Sequence, residues 1–287
     1  DLIHHLSGLT DYLSWADYAP DSTNDDVITW LAEQPLDHDP GERFDYSNSG
    51  YLTLGSVVAA ADEAESLHDV LQSRVWDVAG MADTALPDPI DPDRRVTGYV
   101  GTGGDFSLSM DPNIVEGDGN VFTTLKDLAK YEAAFWDGSL LDDPAPLYVN
   151  GQYDDGSPIA DDSDEGYGYG WSVTKGEQDY ATHTGSWMGT STLYVRNLSD
   201  GVAVILLANG EDGDDLIRAL RAGVRAGRWP GAAGAVSAAS QERPRPVFAS
   251  GHFGAQERTA TAHPHLQRGA RVFAPRSFSL CLQKAIR

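Results

Sequence analysis

Acidic residues end abruptly along this chain, and that break constrains what it can fold into. Residues 1–217 contain 42 of the 44 Asp and Glu and only 8 of the 20 Lys and Arg. The remaining 70 residues contain 12 Lys and Arg, two Glu and no Asp. A single folding unit does not produce two such compositions. We therefore predict a folded domain over residues 1–225 and a separate basic segment over residues 226–287.

The basic segment lacks the patterns of a packed structure. From about Gly227 it is rich in Ala, Gly, Pro and Arg, and its apolar residues follow neither a period of 3.6 nor a period of 2. We interpret it as a disordered or unrelated tail, such as one translated out of frame. A basic arm for nucleic acid or a membrane surface is the alternative, although such arms cluster their charges and these Arg are scattered.

The acidic part is typical of a salt-adapted, halophilic protein. It holds 33 Asp, 9 Glu and only three Lys, and surface carboxylates at that density keep a chain hydrated in concentrated salt. An ordinary acidic protein is the alternative interpretation. The net charge of −24 argues against nucleic acid as a partner, because the phosphate backbone repels it.

The sequence also argues against three other classes of protein. No run of 18 apolar residues occurs, so we predict no transmembrane segment. The single Cys281 excludes an intrachain disulfide and a multi-cysteine metal site. The eight His show no H-x-x-x-H or related spacing, so we predict neither a metal site nor a cofactor.

Apolar spacing and capping residues predict four helices in the first 140 residues. One is capped by Asn24 and stops before Pro35, a second covers Ser49–Ala61, a third covers Ser66–Val78 with Gly80 just past its end, and a fourth runs from a cap on Thr123 or Thr124 to Gly138. Residues 87–119 are rich in Pro, Asp and Gly, which predicts loops with short strands.

The apolar period changes to that of strands after residue 165. The predicted strands are Tyr167–Val173, Tyr180–Thr184, Thr190–Arg196 and Val202–Ala208. Because the last of these is continuously apolar, we predict that it lies in the interior of the sheet. A helix over about Asp214–Arg225 completes an α/β fold of the α+β type, in which helices flank an antiparallel sheet.

The first motif that can carry chemistry is Phe44-Asp-Tyr-Ser-Asn-Ser-Gly-Tyr51, on a loop before a helix. Tyr46 and Asn48 are two residues apart, so we expect both to point into one cleft. There a phenol can move a proton and an amide can hold a carbonyl group. The alternative is that Asn48 or Ser49 caps the helix and Tyr46 packs in the core.

The second motif is His183-Thr-Gly-Ser-Trp187, at the end of a strand. Gly185 lets a substrate lie against the strand, the backbone N–H of Ser186 can face an oxyanion, and His183 can supply a proton or a positive charge near neutral pH. Thr184, Gly185 and Trp187 are the predicted substrate-binding residues. The alternative is an ordinary His at a strand end.

In their order along the chain, these motifs resemble the serine β-lactamase and penicillin-binding protein superfamily, in the branch of class C β-lactamases, D-aminopeptidases and related esterases. Further landmarks are Asp1–Tyr12, Pro40–Gly55, Gly117–Thr124 and Tyr167-Gly-Tyr-Gly-Trp171. The triplet His183-Thr-Gly185 stands where the family has Lys-Thr-Gly or His-x-Gly. The resemblance spans residues 1 to about 225 and implies a β-lactamase/transpeptidase-like fold.

The resemblance implies a nucleophile that this sequence does not contain. In the family it is the Ser of a Ser-x-x-Lys motif at the start of a helix. That helix would lie upstream of Asp1, so we expect the N-terminal strands and the nucleophile helix to be missing. The one literal match, Ser172-Val-Thr-Lys175, is predicted to be a strand that runs into a turn, where Ser and Lys lack the shared face of a helix.

The activity implied by the resemblance is that of a serine hydrolase, which cleaves an ester or amide bond of a small molecule or peptide through an acyl-enzyme. Tyr46, Asn48, His183 and Ser186 would be its catalytic residues. His rather than Lys at position 183 favours an esterase or peptidase over a true β-lactamase, because a mostly neutral His suits a penicillin carboxylate less well. The alternative is a catalytically inactive fragment or pseudoenzyme. Localisation and oligomeric state are left open.

Overall fold

The computed structural model describes residues 1–87, 95–102, 105–109, 114–160, 165–176, 178–187 and 189–210, together with 217, 222–223 and 272–274. The α-helices are α1 (Asn24–Leu31), α2 (Asn48–Ala61), α3 (Leu67–Leu71), α4 (Asp77–Ala79) and α5 (Leu125–Trp136). The strands are β1 (Gly98–Thr102), β2 (Asp105–Ser109), β3 (Val121–Thr123), β4 (Gly166–Tyr167), β5 (Ser172–Thr174), β6 (Tyr180–Trp187), β7 (Thr190–Asn197), β8 (Ala203–Ala208) and β9 (Val272–Ala274). Within this described part, no helix has both the length and the apolar composition of a membrane span.

Side-chain caps set where the helices begin. Thr23 caps α1, since its Oγ1 accepts from the Asp26 N–H while the Asp26 carboxylate accepts from the Thr23 N–H. The prediction of Asn24 as the cap was therefore wrong by one residue; the Asn24 amide donates instead to Ser56 Oγ and to the Glu116 carbonyl. Thr124, one of the two predicted caps, caps α5.

The predicted helix over Ser66–Val78 is present but interrupted. Ser66 caps it, and Gly80 ends it with φ of 70°, both as predicted. Between α3 and α4, however, Gln72–Trp76 form a π-helical turn. The turn carries Val75 and Trp76, both buried, into the main core.

The main sheet is antiparallel and has the order β4-β5-β6-β7-β8. The predicted strand over Tyr167–Val173 is in fact two short strands, β4 and β5, because Gly170 adopts φ of 76° and Gly168 donates back to the Trp171 carbonyl. The neighbouring strand β6 continues three residues beyond its predicted end. A separate hairpin, β1–β2, forms within the predicted loop region, and β3 pairs with β9.

The prediction that Val202–Ala208 lies inside the sheet does not hold among the described residues. β8 is the outermost of the five strands in the described part, and residues 204–208 are only partly buried. Its two faces contact two different cores: Ile205 packs on the main core, and Leu206 packs on a second one. Packing on both faces of the sheet thus accounts for the continuously apolar sequence of β8.

The two cores lie on opposite faces of β6 and β7. The main core lies between the sheet and helices α3 to α5, and there Arg196 of β7 forms a fully buried ion pair with Glu132 of α5. The second core contains Leu193, Val195 and Ile217. Ile217 belongs to the predicted helix 214–225, of which only 217 and 222–223 are described, and all three are helical. The predicted basic segment lies outside the described residues apart from β9.

Candidate active site

Tyr46 lies on the short segment that leads into α2. The next residue, Ser47, is the helix cap, and its Oγ accepts from the Gly50 N–H at 3.0 Å. The helix therefore begins at Asn48, and neither Asn48 nor Ser49 caps it. This leaves Tyr46 just outside the first turn, half-buried and directed at the sheet.

The structure brings Tyr46 together with His183 of β6, which is 137 positions further along the sequence. Their ring centroids lie 6.4 Å apart, with the ring planes inclined at 51°. His183 is 9% exposed, and its Nδ1 lies 2.8 Å from the Thr184 carbonyl oxygen. Because a carbonyl can only accept, Nδ1 carries the proton, and in the neutral ring Nε2 is the acceptor nitrogen.

β6 extends past its neighbour β5 in the region of the predicted site. β5 pairs only with Tyr180–Thr182, so within the described part residues 183–187 have β7 as their one strand neighbour. His183, Gly185 and Trp187 share one face of the strand, whereas the side chains of Thr184 and Ser186 lie on the opposite face. Thr184 and Ser186 can meet a ligand on the first face through their backbone groups.

Asn48 is buried, with 6% exposure, and Asp11 holds it. The Asp11 carboxylate accepts from the Asn48 side-chain Nδ2 at 2.7 Å and from its backbone N–H at 3.2 Å. The same carboxylate accepts from the Leu13 N–H at 2.9 Å. Sequence reasoning missed Asp11, because this contact joins residues 37 positions apart.

His5 is the second residue that sequence reasoning missed. It is 1% exposed and stacks on the Tyr46 ring, with centroids 4.1 Å apart and planes inclined at 29°. Its Nδ1 accepts from the Ser47 N–H at 3.0 Å, and its Nε2 lies 3.0 Å from the Tyr167 hydroxyl. Burial, and secondarily the nearby His183, lower the pKa of His5 well below the ordinary value of 6.5.

On the face of β6 and β7 that carries His183, two buried polar atoms lack a hydrogen-bond partner among the described residues: Nε1 of Trp187 and Oγ1 of Thr192. Thr192 lies directly opposite Gly185 in the β6–β7 pairing, so its side chain is on the same face as His183 and Trp187. Because Gly185 has no side chain, nothing on that residue covers the Thr192 hydroxyl. A ligand on this face could satisfy both atoms.

Ser172 and Lys175 do not form a nucleophile and base pair. Ser172 belongs to β5, as predicted, and Lys175 follows the end of that strand. The Lys175 ammonium instead pairs with Asp179 at 2.9 Å. On a strand, residues three apart point to opposite faces, so Lys175 is not placed to accept the Ser172 proton.

Comparison with known proteins identifies the family. The Beta-lactamase family model matches residues 1–228. Penicillin-binding protein 4* of Bacillus subtilis is 25% identical over an alignment of 246 residues, which covers 76% of this chain and 52% of the relative. The chain thus spans about half the length of the curated relative it matches.

Solved structures share the fold. A penicillin-binding protein from Bacillus halodurans matches with a TM-score of 0.64 and 22% identity, covering 77% of this chain and 70% of the other. D-amino acid amidase from Ochrobactrum anthropi SV3, in a complex with L-phenylalanine amide, matches with a TM-score of 0.58 and 22% identity, covering 79% and 71%. The resemblance inferred from the motifs is confirmed: the chain belongs to the Beta-lactamase family of the serine β-lactamase and penicillin-binding protein superfamily.

Proposed function

We propose that this chain forms the Tyr46–His183 side of a hydrolase cleft that cleaves ester or amide bonds through an acyl-enzyme. The observation that carries the proposal is the 6.4 Å approach of the Tyr46 and His183 rings, which come from distant parts of the sequence. A phenol and an imidazole at this spacing can exchange protons with a group bound between them. Members of the Beta-lactamase family are serine hydrolases, and this agrees with the proposed chemistry.

The proposed reaction uses a serine that the described residues do not supply. Its Oγ attacks the carbonyl carbon, its proton passes by way of Tyr46 to the leaving amine or alcohol, and the bond to that leaving group breaks. Water then attacks the acyl-enzyme, which releases the acid and regenerates the serine. The backbone N–H of Ser186, on the part of β6 that extends past β5, is proposed to hold the oxyanion.

His183 and its neighbours are proposed to select the substrate. With its Nδ1 proton on the Thr184 carbonyl, neutral His183 offers an acceptor at Nε2 and not a permanent cation. This favours a neutral ester or amide over a substrate that needs its carboxylate bound by Lys. Trp187 would contribute a hydrogen-bond donor, its Nε1–H, and Thr192 would contribute its hydroxyl. The similarity to a D-amino acid amidase supports an amide as the substrate. Asn48, held by Asp11, is proposed to orient the carbonyl.

A second candidate function is a catalytically inactive chain with only part of a cleft. The observation that favours it is that the one Ser-x-x-Lys pattern in the sequence lies at the end of β5 and cannot act as the nucleophile. Acylation would then not occur on this polypeptide.

A serine-reactive fluorophosphonate and a fluorescent penicillin test both functions. We expect no covalent label on residues 1–287 alone, and labelling of a form extended upstream in its own reading frame. In the extended form, Tyr46→Phe should slow labelling by about 100-fold, since general acid–base groups contribute about 10² to 10⁴. The matched control is Tyr153→Phe, whose hydroxyl makes only a 3.5 Å contact with the Ala160 carbonyl among the described residues. Labelling that is equal in both variants would refute the role of Tyr46.

A further inference from the structure

One residue, His5, contacts the whole segment that carries Tyr46. The His5 carbonyl accepts from the Asp45 N–H at 2.9 Å, and the His5 Nδ1 accepts from the Ser47 N–H at 3.0 Å. Between these two bonds the imidazole stacks on the Tyr46 ring. Both backbone flanks of Tyr46 and the face of its ring are thus held by the same residue.

His5 is itself fixed from the other side. Its Nε2 lies 3.0 Å from the Tyr167 hydroxyl, which belongs to β4 of the main sheet. Its backbone has φ of 57°, in the left-handed region that non-glycine residues rarely adopt. A strained backbone of this kind persists only where its surroundings stabilise it, and such residues cluster at functional sites. Through His5, Tyr46 is tied to the sheet that carries His183.

The hydrogen bonds determine the tautomer of His5. A backbone N–H can only donate, so Nδ1, which accepts from Ser47, carries no proton. The neutral ring therefore has its proton on Nε2 and donates it to the Tyr167 oxygen. Protonation of Nδ1 would point two N–H groups at each other and break the contact with Ser47. His183 has the opposite tautomer, with its proton on Nδ1.

We propose that His5 is a positioning residue, which holds Tyr46 against the His183 strand and does so only as the neutral Nε2–H tautomer. The proposal rests on the function proposed above for Tyr46.

The surroundings of His5 disfavour its charged form. Burial is the main cause of its lowered pKa, and the positive charges of His183 and, more weakly, His4 add to it. The titratable groups that face it are Tyr46 and Tyr51 from the α2 region, Tyr167 from β4, His183 from β6 and the adjacent His4.

NMR on the full chain tests this without any need for catalysis. In ¹⁵N-histidine spectra we expect His5 as the Nε2–H tautomer. In ¹³C-tyrosine spectra, the Tyr46 signal can be assigned by its loss in Tyr46→Phe. We expect this signal to change on acidification, with a midpoint well below pH 6.5. His5→Asn, whose side-chain oxygen can replace Nδ1 as an acceptor, should abolish that transition and keep the Ser47 amide protected. His5→Phe keeps a ring but no acceptor, so exchange of the Ser47 amide should accelerate about tenfold, as loss of one hydrogen bond predicts.

His68→Phe is the matched control, because His68 Nδ1 also accepts a backbone N–H, that of Leu86 at 3.4 Å, but in another part of the fold. It should leave the Tyr46 signal and the exchange of Ser47 unchanged. Three results would overturn the proposal: His5 protonated on Nδ1 in the unmodified chain, a Tyr46 signal that His5→Phe and His68→Phe affect equally, or an acid transition that persists in His5→Asn. If the His5 variants fail to fold, the tautomer of His5 in the unmodified chain still tests the proposal. Because no hydrolysis is measured, loss of the proposed function would leave these results unchanged.

Discussion

The ion pair between Arg196 and Glu132 provides the sharpest test of how this fold is held together. Both side chains are fully buried, and they join β7 to α5. The guanidinium donates to the carboxylate from Nε at 3.1 Å and from a terminal nitrogen, donates to the Tyr148 hydroxyl, and lies 3.8 Å above the Phe135 ring. Every strong contact of this cation is therefore made inside the protein.

Glu132→Gln should destabilise the chain by about 3–5 kcal/mol, because it leaves the Arg196 charge buried without its counter-ion. That is a large part of a typical domain stability of about 5–15 kcal/mol. The carboxylate also accepts from Trp136 Nε1 at 3.0 Å and from the Tyr194 hydroxyl, so the substitution disturbs a network that links α5, β7 and the segment of Tyr148. The double variant Glu132→Leu with Arg196→Met removes both charges and should recover most of the loss.

Urea unfolding in molar salt, followed by circular dichroism, measures these differences through the shift in midpoint at constant slope. The control is Lys175→Ala, which breaks an exposed ion pair with Asp179 and should cost at most about 1 kcal/mol. If Glu132→Gln costs no more than Lys175→Ala, the buried pair does not hold α5 to β7. If the double variant is less stable than Glu132→Gln, uncompensated charge is the wrong explanation.

Three further predictions follow from the composition and the structure. The melting temperature should rise between low and molar salt, because screening reduces repulsion within a chain of net charge −24; a cooperative melt that is indifferent to salt would contradict this. Burial raises the pKa of Tyr148 to about 12. Its neutral form therefore stabilises the fold fully below pH 10, and this contribution is lost as the pH rises to about 12. In an alkaline urea series, the loss of stability should be smaller for Tyr148→Phe than for the unmodified chain. Thr192→Val should change the stability by no more than about 1 kcal/mol, because the Thr192 hydroxyl has no partner in the described part. The same substitution should weaken the binding of an amide ligand, as measured by NMR titration. Equal binding by both forms would argue against a ligand at Gly185.

Most local elements could be predicted from the sequence, because their signals are local. Ser66, Thr124 and Gly80 mark helix ends through hydrogen bonds and backbone angles that involve only neighbouring residues. The errors occurred where the deciding contact lies elsewhere. Thr23 caps α1, whereas Asn24 donates to Ser56 and Glu116; within the described part, β8 is an outer strand that contacts two cores.

The sequence by itself determined the order of helices and strands, the two motifs around Tyr46 and His183, and their likeness to a family of serine hydrolases, since periodicity and motif order are properties of the chain. Only the tertiary structure decided that His5 stacks on Tyr46, that Asp11 holds Asn48 and that Thr192 lies opposite Gly185. These contacts join residues far apart in the sequence, and whether a polar side chain is satisfied, charged or available to a ligand depends on neighbours that only folding brings to it.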